Sequence, residues 1–100
     1  MDFAVATSES VKVSVKTPKR YKVVLHNDDT TEMTVVVAVL VVVFKKTFEA
    51  ATTLMLQVHN EGTGVVDVYP RKLANARCKE ALEFVHSKGF KDFKVTVEEE

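Results

Sequence analysis

Val35-Val36-Val37-Ala38-Val39-Leu40-Val41-Val42-Val43, closed by Phe44, is the stretch on which the fold turns. Ten apolar residues run here without a polar break. Read alone, the β-branched run says buried strand. Its seven valines in a helix would cost about 0.5 kcal/mol each against alanine, roughly 3–4 kcal/mol together. As a strand it joins a sheet, and as a helix it joins a helical layer. Local propensity favours the strand.

Upstream, Tyr21-Lys22-Val23-Val24-Leu25 reads as a strand running into His26. A polar knot follows, His26-Asn27-Asp28-Asp29. By default Asn and two Asp at a strand end are turn and helix-entry chemistry, because their side chains bond their own backbone. Thr30-Thr31-Glu32-Met33-Thr34 then holds several helix N-cap candidates, although Thr31-x-x-Thr34 lacks the acidic third position of a capping box. Residues 1–20 are rich in Ser, Thr and Lys. Val11, Val13 and Val15 alternate with polar residues as a short strand would, but the segment has little apolar bulk to anchor it, and a mobile tail is expected.

Downstream, Phe48 to Glu61 reads as a helix with Ala51, Leu54, Met55 and Val58 on one face and Gly62 as its stop. Val65 to Tyr69 reads as a short strand. Pro70 suits the first turn of a helix, and Leu73, Ala74, Arg77, Cys78, Ala81, Leu82 and Val85 keep helical period up to Gly89. Phe93-Lys94-Val95-Thr96-Val97 alternates as a last strand, before an acidic end. The order is β, then helix or strand, then α, β, α, β. An α+β sandwich, with helices on one face of a small antiparallel sheet, is the architecture this implies.

Composition narrows the function. One hundred residues make one domain that buries roughly 60–70% of its unfolded surface. Fourteen basic and fourteen acidic residues cancel, so there is no electrostatic case for nucleic acid or for anionic membrane. A lone cysteine, Cys78, cannot form an internal disulfide, which favours a reducing compartment. The longest apolar run falls well short of the ~20 residues that span a bilayer. The N-terminus has no charged start, apolar stretch and cleavage site of a secretory leader.

No catalytic or metal motif is readable. A calcium loop needs alternating acids, a glycine and a distal glutamate, which are absent around Asn27-Asp28-Asp29. His26, His59 and His86 have no zinc-ligand spacing. Gly62-x-Gly64 is a helix stop and turn, without the glycine pattern of a phosphate loop. Arg77 and Lys79 flank Cys78 and favour a thiolate, yet no histidine partner sits in a readable motif, and the structural role prevails. Two segments remain informative: the knot, and Leu54-Met55-Leu56-Gln57-Val58-His59-Asn60-Glu61-Gly62-Thr63-Gly64. If they meet, an amide, a carboxylate and an imidazole converge beside Met and Val side chains. Such a site suits a cation attached to an apolar group.

Those two segments resemble the ClpS adaptor family. Tyr21 to Asp29, Met33, Val39-Leu40, Phe44, Ala51, Met55-Leu56-x-Val58-His59 and Gly62-x-Gly64-Val65 carry the likeness, which spans roughly residues 20–98. The resemblance implies a non-enzymatic adaptor, without metal or cofactor, in the bacterial cytoplasm or a plastid-type stroma. It would bind proteins with Leu, Phe, Tyr or Trp at the N-terminus (N-degrons) and hand them to a Clp-type AAA+ ATPase–protease. It implies that Asn27, Asp29 and His59 hold the substrate's α-amino group, with Asp28 as neighbour. Leu25, Thr31, Met33, Val36, Met55 and Val58 would form the side-chain pocket, and Phe93 would close it. Lys72 and Arg77 would lie on the ATPase-docking helix, and residues 1–20 would form the family's N-terminal extension ahead of a core domain over 21–100.

The resemblance also makes the valine run a helix, over 34–45, and the fold a three-stranded antiparallel sheet in the order β-α-α-β-α-β. Val36, Val39, Leu40 and Val43 are then expected inward, with Val37, Val41 and Val42 outward. Several residues depart from the family pattern: Thr30 for a common aromatic, Glu32 for a proline, Asp67 for a glycine, and Lys72 for an acidic residue. Two rival functions stand beside the adaptor. One is a regulator docked on a Clp ATPase without N-end selectivity. The other is an enzyme using Asp29 and His59 as acid and base, against which the lack of an activated nucleophile counts.

Overall fold

The computed structural model describes residues 18–100, so the expected tail lies outside the described residues up to residue 17. Six elements follow: β1 (Arg20–His26), α1 (Met33–Val42), α2 (Phe48–Glu61), β2 (Thr63–Pro70), α3 (Arg71–His86) and β3 (Lys94–Glu99). β1 is central in an antiparallel sheet of order β2-β1-β3. Arg20, counted with the tail in the sequence reading, is already its first residue.

The valine run is helical, against its propensity. Both edges of β1 are taken by β2 and β3, so no place beside the central strand remains for another. α1 packs instead against both α2 and α3. Val39 and Leu40 are completely buried, and Val43 and Phe44 nearly so. Each full burial contributes about 1.5–3 kcal/mol, which offsets the helix penalty of the valines. Tertiary burial outweighs local preference.

Seating between two helices also changes which valines are outside. Val37 and Val41, expected to face outward, are half-buried and pack on the core, and only Val42 is open to solvent, at 50%. A helix covered on more than one side tolerates an apolar circumference that a surface helix does not. α1 ends where Lys45 enters the left-handed region at φ 59° and Lys46 N–H donates to Leu40 O at 3.1 Å. That bond closes the last turn of the helix over the left-handed residue.

α2 starts at Thr47, whose hydroxyl accepts from Ala50 N–H at 3.1 Å. It stops at Gly62, whose φ of 94° suits glycine and whose N–H donates to Val58 O at 2.8 Å. Two residues on, a Cβ at Gly64 would stand 2.9 Å from Leu54 Cδ1 and 3.0 Å from Val58 Cγ2. Only glycine lets β2 lie this close to α2. α3 seats on the sheet through small residues, Ala74 and Ala81, with Val85, all fully buried. Val23, Leu25, Val66, Phe93 and Val95 complete the core under the helices.

The contrast between neighbouring valines is testable. Val42→Lys should change stability by no more than about 0.5 kcal/mol, as surface changes do. Val41→Lys displaces a packed side chain and should cost about 1 kcal/mol or more, a drop of several degrees in Tm. Thermal unfolding of the pair decides, and equal Tm values would refute the placement of α1.

Candidate functional site

The register of the sheet places the polar knot. Leu25 pairs with Gly64 and His26 with Thr63 across β1 and β2, so the end of β1 lies beside the turn that closes α2. There Asn27 N–H donates to Gly62 O at 2.9 Å. The two informative segments therefore meet, around a cavity of about 160 Å³.

Leu25 and Val58, both buried, form its floor. Thr31, Met33, Val36 and Met55 continue the wall, and His26, Asn27, Asp28, Asp29 and His59 line the polar side. Asn27, Asp29 and His59 are exposed, so the cavity runs from a polar, solvent-facing rim to an apolar floor. Apolar cavities near 150 Å³ accept a benzene-sized guest, which sets the scale of side chain that fits.

The two adjacent aspartates do different work. Asp28 Oδ1 accepts from Thr30 N–H at 2.9 Å and Thr31 N–H at 2.7 Å, and the Thr30 hydroxyl lies 3.1 Å from it. Its Oδ2 accepts from the Thr31 hydroxyl at 2.9 Å. Burial raises the Asp28 pKa, but these hydrogen bonds outweigh it and hold the carboxyl below its ordinary value. Asp28 is thus consumed by its own loop, as the default turn reading of the knot has it. Asp29 has no side-chain partner among the described residues and faces the rim.

Not every expected residue reaches the cavity. Phe93, expected to close it, is 3% exposed and packed in the core, outside the lining. It precedes β3, where the alternation of the strand turns it under the helices. Lys72 and Arg77 stand on α3, away from the cavity, with Arg77 Nη1 donating to Glu80 Oε1 at 2.9 Å. One wall residue escaped the sequence reading as a pocket member: His26, whose Nε2 shares a 2.8 Å hydrogen bond with Thr96 Oγ1. Its place as the first residue of the knot was the available signal.

His26, His59 and His86 are not gathered, and among the described residues no group of three His, Cys, Asp or Glu is placed to hold a metal ion. His86 Nε2 is instead 3.2 Å from Phe93 O. Burial pushes the Cys78 thiol up, not down as its basic neighbours suggested, and the thiol donates to Val95 O at 3.3 Å. Among the described residues no helix is long and apolar enough to cross a membrane.

Residues 16–96 match the family described as ATP-dependent Clp protease adaptor protein ClpS. The chain belongs to the ClpS family. It is 43% identical over 76 residues to the ClpS adapter protein of Lawsonia intracellularis, covering 76% of this chain and 70% of the relative. With the Wolinella succinogenes protein the identity is 40% over 89 residues, 89% and 85% of the two chains. Its fold matches a structure of Agrobacterium tumefaciens ClpS2 bound to L-phenylalaninamide, with a TM-score of 0.80 and 37% identity, over 84% of this chain and all of that one. As a ClpS protein the chain is an adaptor of Clp protease.

The Asp28 loop gives a pH signature. A carboxyl whose folded pKa is depressed contributes stability that is complete above its unfolded value, near pH 4, and lost as pH falls through the folded value. Asp28→Asn should destabilise by about 1 kcal/mol at pH 7. Its gap from wild type in urea midpoint should hold down to roughly pH 5 and shrink below that. A gap that widens on acidification would refute the loop's role.

Proposed function

We propose that this ClpS protein recognises the free α-amino group and the bulky apolar first residue, Leu, Phe, Tyr or Trp, of N-degron proteins, and delivers them to a Clp-type AAA+ ATPase. The carrying observation is the joining of a polar rim, Asn27, Asp29 and His59, to an apolar cavity of about 160 Å³. An α-ammonium offers three donors and a charge. A carboxylate, an amide oxygen and a neutral imidazole are acceptors for it. Phenylalaninamide, the ligand named for the Agrobacterium ClpS2 structure, has this same pairing of α-amine and apolar side chain.

The magnitudes suffice. Charge-assisted hydrogen bonds contribute on the order of 1.5–3 kcal/mol each, and burial of a Leu or Phe side chain about 1.5–3 kcal/mol. A micromolar complex needs about 8 kcal/mol. Delivery takes no bond-making step on this chain, and no cofactor enters the reading. The residues ahead of Arg20 act as the extension of the core domain, α3 offers Lys72 and Arg77 to the ATPase, and the bacterial cytoplasm or a plastid-type stroma is the setting.

Peptides that differ only in their first residue test the reading. By fluorescence polarisation, N-acetylation of a Leu-starting peptide should cost several kcal/mol, since it removes the charge and leaves Asp29 without its counter-ion. Equal affinity for the acetylated and free forms would sink the amino-group site and leave a regulator without N-end selectivity.

Selectivity rests on Met33, the first residue of α1, 45% exposed in the cavity wall. There it meets the β-carbon of an entering side chain, which passes when unbranched and collides when branched. A clash costs about 1–3 kcal/mol, roughly a ten- to hundred-fold preference. Met33→Ala should therefore admit Ile- and Val-starting peptides while weakening Leu only modestly. An unchanged Leu-to-Ile ratio would make Met33 mere filling.

A further inference from the structure

The loop that carries Asn27, Asp28 and Asp29 is tied at both ends to one segment of chain that contributes nothing to the cavity lining. At its start, His26 bonds Thr96 of β3 at 2.8 Å. At its end, the Thr30 hydroxyl lies 3.0 Å from Asp92 Oδ2 and 3.1 Å from Asp28 Oδ1. That hydroxyl has one proton for two carboxylates. Asp28 already receives two backbone N–H groups and the Thr31 hydroxyl, whereas Asp92 has no other donor among the described residues. The proton is therefore worth most to Asp92.

Asp92 is well placed as an anchor, because the next residue, Phe93, is locked in the core at 3% exposure. Thr30 in turn directly follows Asp29, the carboxylate left open at the rim. A bond that fixes Thr30 fixes the backbone from which Asp29 projects. We propose that Asp92, acting through Thr30, is a positioning residue that holds Asp29 ready for the substrate's ammonium group. This rests on the amino-group reading given above. The physical gain is preorganisation: a charged acceptor held in place loses less on binding than one that must be ordered.

The expected loss is that of one side-chain hydrogen bond, roughly three- to tenfold in Kd. Wild type, Asp92→Ala, Asp92→Asn and Thr30→Val are titrated with a Leu-starting peptide, free and N-acetylated. Asp92→Ala should weaken the free peptide by that factor and leave the acetylated one unchanged, so that discrimination between them narrows. Asp92→Asn should restore it, since an amide oxygen also accepts from the hydroxyl. Adding Thr30→Val to Asp92→Ala should cost less than Thr30→Val costs wild type, because the two share one interaction and only the contact with Asp28 Oδ1 is left to lose. Asp92 is exposed, so unchanged Tm values are expected alongside.

The inference is overturned by an unaltered Kd in Asp92→Ala, or by equal losses for free and acetylated peptides, which would mark a general structural effect. An Asp92→Asn protein as weak as Asp92→Ala also overturns it, by showing a long-range charge effect. If wild type itself binds both peptides equally, the amino-group reading fails, and the inference with it.

Discussion

Everything at the site depends on how closely β2 can approach α2. At Gly64 the two lie so near that a methyl group would meet Leu54 and Val58 at about van der Waals overlap. Because Gly64 is paired with Leu25, this contact also fixes the end of β1. From there the chain has no freedom to miss: Asn27 bonds the carbonyl of Gly62, and the knot is delivered to the last turns of α2, where Val58 and His59 stand. Gly62 and Gly64 thus serve the site although neither lines it. One turns the chain out of the helix, and the other lets it return along the same helix face.

The adjacent aspartates show how one dipeptide can serve fold and function together. Two neighbouring carboxylates on a loop repel each other and compete for the same donors. Here the competition is resolved by geometry, since Asp28 collects the donors of Thr30 and Thr31 and shapes the loop. Asp29 is left with its charge at the rim. A carboxylate whose neighbour satisfies the backbone is available to an outside donor without leaving buried polar groups unpaired, and among the described residues no such group is unpaired.

Much of this was legible in the sequence, for reasons that differ by element. β1, α2, β2, α3 and β3 carry clear period and punctuation: Gly62 ends a helix, Gly89 stands in the turn after another, and Pro70 opens one. α1 carries neither. Its residues prefer strands, its N-terminal Glu32 makes no side-chain cap, and its stop is a lysine in a glycine's conformation. Only family likeness marked it as a helix, because the deciding term is burial between α2 and α3, which no local window contains. The same blindness to long-range packing sent Val37, Val41 and Phe93 to the wrong surroundings. At the site, side chains on the two conspicuous segments were readable, whereas the ties to Asp92 and Thr96 cross 62 and 70 residues of chain and had no local signal.

The cavity and the valine helix are linked by the same energetics. The cleft of about 160 Å³, with its apolar floor at Leu25 and Val58, interrupts the packing of the domain, and a domain's whole stability is only about 5–15 kcal/mol. A small domain keeps such a void only if the elements around it are held by other contacts. α1 meets that need by packing on two helices, with Val39 and Leu40 wholly enclosed, while its first turn, with Met33 and Val36, reaches the cavity. The excess of valine follows from this. Stiff, β-branched side chains fill a wedge between helices with few rotamers to lose. At the cavity two methionines, Met33 from α1 and Met55 from α2, stand in the wall beside Val36 and Val58.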